Sequence, residues 1–96
     1  MTLMLVGADY LRGIEKNLQS LGIDNVYHMN GRNVKEQRKV KIPTTVGCVV
    51  VFTDFVNHLT AANIKKMAKA QNLPVIFSKR SWCALQEKLA DFRLQA

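Results

Sequence analysis

Short apolar runs alternate along this chain with longer segments of helical periodicity. Leu3-Met4-Leu5-Val6 runs into Gly7-Ala8-Asp9, Val49-Val50-Val51-Phe52 into Thr53-Asp54, and Val75-Ile76-Phe77 into Ser78-Lys79-Arg80-Ser81-Trp82. Each run has strand length, and each small or polar cluster leads straight into a helical pattern. Residues 3–7 read as a buried strand. Over residues 10–22, Leu11, Ile14, Leu18 and Leu21 share one helical face, and Gly22 supplies a stop. Residues 25–29 read as a second strand holding Val26, Tyr27 and His28, and Asn30-Gly31 is turn chemistry. Residues 47–52 form the strongest strand. Residues 57–72 follow as a helix with Ala61, Ile64 and Ala68 inward, Asn72 as its cap and Pro74 barring continuation. Residues 75–77 are a short strand. Ser81 caps a last helix whose apolar stripe is Trp82, Leu85, Leu89 and Phe92. Residues 32–45 are polar and basic with little periodicity. They fit a short helix or an ordered loop, and Pro43 ends either.

Strands separated by helical crossovers predict an α/β chain with one parallel sheet. Right-handed crossovers give a three-layer sandwich, Rossmann-like or flavodoxin-like, with four strands in the order 2-1-3-4. Residues 1–96 read as one α/β domain without linker or repeat. In such a sheet the carboxyl ends of the strands border a shared crevice, where open α/β sheets bind ligands. Four strands make a narrow sheet with two edges. The basic segment or a second copy of the chain would cover an edge, so a homodimer is expected.

Composition sharpens the picture in two places. The 96 residues carry 14 Lys and Arg against 7 Asp and Glu, a net charge of +7. Arg32, Lys35, Arg38, Lys39 and Lys41 form one basic group, Lys65, Lys66 and Lys69 a second, and Lys79 with Arg80 a third. This balance favours an anionic partner such as phosphate, nucleotide or nucleic acid, although charge alone supplies only non-specific attraction. The alternative is a solvated basic surface. The two cysteines lack metal-ligand spacing. Cys48 sits in an apolar run as a small buried hydrophobe, and Cys83 follows basic residues near a helix start, where a thiolate would be stabilised. Their pattern fits a reducing cytoplasm. The first apolar run is too short and lacks the basic lead of a signal sequence, and no stretch is long enough to span a bilayer.

The candidate chemistry gathers at the strand ends. Gly7 and Gly13 do not make the G-x-G-x-x-G fingerprint, which argues against a nicotinamide or flavin dinucleotide. Asp9 would either cap the first helix or orient a ligand hydroxyl or cation. In Thr53-Asp54-x-x-Asn57-His58, a carboxylate beside an imidazole would fix the histidine tautomer and raise its basicity, as in a general base or a metal-ligand pair. The plain alternative makes Asp54 or Asn57 a helix cap with His58 packed beside it. His28, at the end of the second strand, would join them at the site or, on the plainer reading, is structural in a half-buried strand. In Ser78-Lys79-Arg80-Ser81, hydroxyls and cations precede a helix N-terminus, an arrangement suited to phosphate or sulfate. Here the plain reading is a capping Ser81, exposed Lys79 and Arg80, and a core Trp82. Arg32 would reach the same crevice from the neighbouring strand end.

The same blocks resemble a small bacterial family, domain of unknown function 2325. They are Gly7-Ala8-Asp9, Gly13-Ile14-Glu15, His28, Gly31-Arg32, Thr53-Asp54-Phe55-Val56-Asn57-His58 and residues 74–82. The resemblance covers nearly the whole chain. It departs at Ala8, where the family commonly has glycine, and at Lys79, where arginine is common. It implies the fold and the grouping of residues, and carries no activity. Asp9, Asp54 and Lys79 also loosely resemble the acidic pocket and lysine of response-regulator receiver domains. The chain has one acidic residue at the first strand where receivers have two, and it is a strand and a helix short.

Together these features lead to the expectation of a cytoplasmic binding or regulatory module. It would hold an anionic ligand through Asp9, Arg32, Thr53, Asp54, Asn57, His58, Ser78, Lys79, Arg80 and Ser81, with Asp54 orienting His58. No metal site and no particular cofactor is read from the sequence. Two rival readings are a metal-assisted or His58–Asp54 phosphoester enzyme, and a protein-interaction domain with an empty crevice.

Overall fold

The computed structural model describes residues 2–11, 13–30 and 42–95, with side chains through Phe92. Arg32 and the basic group from 32 to 41 lie outside the described residues, as does most of the segment left open between helix and loop. The elements are β1 (Thr2–Val6), α1 (Ile14–Ser20), β2 (Asn25–Met29), β3 (Val46–Phe52), α2 (His58–Ala70), β4 (Val75–Ser78) and α3 (Trp82–Gln95). All strand pairs are parallel, and the sheet order is β2-β1-β3-β4, as the apolar runs and right-handed crossovers predict. Among the described residues, no helix is long and apolar enough to cross a membrane.

Alternation along the central strands builds the two sides of the core. Leu3 and Leu5 of β1 join Cys48, Val50 and Phe52 of β3 on the face covered by Ile14 and Leu18 of α1 and Leu85 and Leu89 of α3. Met4 and Val6 join Val49 and Val51 on the face covered by Ile64 and Ala68 of α2. The result is three layers, with each strand of the central pair buried on both faces. The register slips between Thr2 and Leu3, where Thr2 pairs with Val46 but Leu3 pairs with Cys48. The extra residue, Gly47, places Val46 on the same side as Val49 and Val51. Full burial of Phe52 alone contributes roughly 2–3 kcal/mol of transfer free energy.

The helix ends follow from local chemistry. Asn57 caps α2, its side-chain oxygen accepting the Thr60 N–H at 2.8 Å. At the other end Asn72 adopts φ +57°, Leu73 N–H reaches Ala68 O at 2.9 Å, and Asn72 N–H reaches Lys69 O at 3.1 Å. This is the paired carbonyl capture that closes many helices. Gly22 closes α1 in the same way, with Ile23 N–H on Leu18 O. One boundary departs from the expected helix over 10–22. α1 begins only at Ile14, with left-handed Gly13 as its N-cap. The chain leaves β1 through two positive-φ residues, Gly7 and Ala8, so residues 8–11 form a loop before the helix starts.

Candidate functional site

The loop after β1 is fixed by close approach and by a histidine. Gly7 has φ +108°, and a Cβ there would lie 2.9 Å from Val56 Cγ1 and 3.2 Å from Phe52 O. Only glycine meets both conditions. His28 is in β2, opposite Leu5 in the β1–β2 register. Its Nε2 lies 3.0 Å from Gly7 O and 2.8 Å from Ala8 O. Both partners are carbonyls, so Nε2 carries the proton and donates. His28 thus pins the left-handed turn that Ala8 adopts at φ +67°.

The loops after β3 and β4 are joined at their bases, where Thr53 N–H donates to Ser78 O at 2.9 Å. Arg80 then connects three loops. Its backbone N–H donates to Asp54 Oδ1 at 3.0 Å, its Nη1 donates to Tyr10 O at 3.1 Å, and its Cζ lies 4.3 Å from the centre of the Phe55 ring. The segments after β1, β3 and β4 therefore meet at one rim of the sheet. Among the described residues no carboxylate pairs with the Arg80 guanidinium. Its other guanidinium N–H groups have no hydrogen-bond partner among the described residues, and the ring beneath it adds a cation–π contact.

The other expected site residues divide by what their atoms already do. Thr53, Asp54, His58, Lys79 and Ser81 are exposed around this rim. Thr53 Oγ1 makes a long bond of 3.5 Å to Ser78 O. Ser78 is 4 % exposed, and its hydroxyl donates to Lys79 O at 2.9 Å, so it shapes the loop from below. Asn57 is the α2 cap. Ser81 occupies the N-cap position of α3, its carbonyl accepting the Leu85 N–H at 2.9 Å. Asp9 is exposed in the β1–α1 loop and is not the cap of α1, since Gly13 holds that position without a side-chain bond. Among the described residues no hydrogen bond joins Asp54 to His58. The carboxylate accepts an amide N–H across the crevice, while His58 opens α2.

Two residues central to this geometry escaped the sequence reading. Tyr10 supplies the carbonyl that holds Arg80, and Phe55 supplies the ring beneath it. The only available signal was a large apolar residue in each polar strand-end cluster. Beside the first loop, Asp9, Tyr10, Leu11, Gly13, Glu15, Lys16 and His28 line an open hollow of about 330 Å³. Among the described residues, no three His, Cys, Asp or Glu side chains gather as a group able to hold a metal ion. Burial pushes the Cys48 thiol up to about 11, whereas Cys83 is exposed on α3. Trp82, at the start of α3, packs against the core as its place in the apolar stripe predicts.

Neither the curated proteins nor the solved structures contain a match to this chain. Residues 2–92 match the family model described as "Uncharacterized protein conserved in bacteria (DUF2325)", and the chain belongs to that family.

Proposed function

We propose that this protein is a small cytoplasmic binding or regulatory module that holds a phosphate-bearing anion over the carboxyl ends of its strands. The observation that carries this reading is the setting of Arg80. One guanidinium N–H is anchored on Tyr10 O, the cation lies over Phe55, and no described carboxylate neutralises it. A cation positioned in this way is prepared to make charge-assisted bonds to phosphate oxygens. Lys79 and the Ser81 and Thr53 hydroxyls stand on the same loops, and the net charge of +7 draws anions to the surface. Asp54 acts as a brace in this reading, holding the Arg80 backbone.

Catalysis by Asp54 and His58 is the weaker reading, because the hydrogen bond that would couple them is absent among the described residues. Self-association belongs to the proposal as well. The sheet order leaves β2 and β4 at its edges, and Phe77 of β4 is 36 % exposed. Light scattering across a concentration series tests that part.

The binding test is a thermal-shift panel of pyrophosphate, nucleotides, divalent metals and heparin on wild type and Arg80→Gln. A saturating anion ligand is expected to stabilise wild type by about 2–3 kcal/mol at a hundredfold excess over Kd. Arg80→Gln should lose most of that gain. Absence of stabilisation by every anion, or equal gains in both proteins, would overturn the proposal.

A further inference from the structure

We infer that the ligand held at this rim presents a flat, unpaired base beside its phosphate, as a free nucleotide or a single-stranded nucleic acid does. The inference rests on the anion reading above and specifies the ligand class. It starts from where the exposed apolar side chains lie. Tyr10 is 73 % exposed, Phe55 43 % and Leu59 74 %, and these three belong to the strand-end loops or the first turn of α2, whereas Tyr27 and Phe77 are exposed on the edge strands β2 and β4. Tyr10 and Phe55 sit on the two loops that Arg80 ties together.

A site for bare phosphate needs donors and positive charge, which Arg80 over Phe55 supplies, and gains nothing from the exposed Tyr10 ring. A base gains from both features. Its faces stack on aromatic rings and on guanidinium planes, while its edge groups accept or donate hydrogen bonds. Arg80 backed by Phe55 combines a stacking surface with donors for phosphate. On the β1 side, Tyr10 borders the hollow of about 330 Å³, which Asp9, Lys16 and His28 also line. That hollow offers room beside a ring for a ribose or a base. The Gly7–Ala8 turn with its His28 bonds, and the Tyr10 carbonyl bonded to Arg80, hold the backbone that carries the Tyr10 ring.

The test compares ligands that differ by the base alone. Affinities are measured by calorimetry for pyrophosphate, ribose 5-phosphate, AMP and UMP, and by fluorescence anisotropy for a labelled single strand and its duplex. The base-bearing mononucleotides are expected to bind at least about tenfold more tightly than ribose 5-phosphate. Tyr10→Ala and Phe55→Leu should bring the ratio of AMP to ribose 5-phosphate affinity close to one. Phe55→Leu should also weaken pyrophosphate, since it removes the ring beneath Arg80, and a cooperative thermal melt shows that both variants are folded. A strand bound more tightly than mononucleotides, with affinity falling as salt rises, identifies nucleic acid as the source. Mononucleotides bound as tightly as the strand identify a free nucleotide. Equal affinity for AMP and ribose 5-phosphate, or a strand preferred over mononucleotides yet bound no more tightly than its duplex, would overturn the inference while leaving the anion reading standing. Failure of pyrophosphate and every other anion to bind would remove both.

Discussion

The carboxylate of Asp54 accepts the backbone N–H of Arg80 at 3.0 Å, tying the loop after β3 to the loop after β4. Asparagine keeps an acceptor oxygen in that place and alanine removes it. Asp54→Asn is expected to stay within about 0.5 kcal/mol of wild type, and Asp54→Ala to fall by about 1 kcal/mol. For a domain of this size 1 kcal/mol is roughly 4–8 °C in Tm. Equal melting temperatures for wild type and Asp54→Ala would show that this bond contributes nothing to stability.

Gly7 combines φ +108° with a space too small for a methyl group, whereas Gly22 at φ +86° has open space around it. Gly22→Ala should therefore suffer only the backbone cost, about 1 kcal/mol. Gly7→Ala must also displace Val56 or the end of β3, and a loss of about 2–3 kcal/mol is expected. Denaturant titration of both variants checks the order. A milder effect at Gly7 than at Gly22 would contradict the close approach of β1 to β3.

His28 donates to the Gly7 and Ala8 carbonyls, and its replacement by alanine frees the loop that carries Tyr10. The Gly7 amide, which donates to Met29 O at 2.8 Å, should exchange with deuterium about fivefold faster in His28→Ala, the equivalent of one lost hydrogen bond. Unchanged exchange there would show that the turn holds without the imidazole.

The strand order and the convergence of loops were legible in the sequence because both follow from coarse physics. Apolar runs of strand length, each followed by a helical stripe, admit few crossovers, and parallel strands place their carboxyl ends together. Helix stops at Gly22 and Asn72 were legible for the same reason, since each residue tolerates the left-handed backbone that closes a helix. The start of α1 was not. Leu11 fits the helical spacing, yet it is buried as a loop residue because Gly7 and Ala8 turn the chain first. The partner of Asp54 was also hidden. Sequence proximity pointed to His58, but the direction of a backbone N–H 26 residues away in the chain decided the bond. Tyr10 and Phe55 were missed because an exposed aromatic residue carries no signal until its neighbours are known.

Cys48 and Cys83 should differ sharply in reactivity. Burial pushes the Cys48 thiol up to about 11 from 9.0, while Cys83 is exposed. A disulfide reagent near pH 8 should modify Cys83 in the native protein and Cys48 only after unfolding. The folded state favours the neutral Cys48 thiol, so its contribution to stability is complete below pH 9 and is lost as pH rises through about 11. Chemical denaturation of wild type and Cys48→Ala from pH 8 to 11 checks the sign. Stability should decline more steeply with pH in wild type than in the variant, and equal slopes would contradict a buried thiol.

The site itself is tested most directly by two-dimensional amide NMR during a pyrophosphate titration at low salt. Binding at the strand-end rim predicts saturable shifts clustered at residues 9–10, 53–55 and 79–81, and their loss in Arg80→Gln. Shifts scattered over the lysines of α2, or no shifts at all, would contradict an anion site built around Arg80.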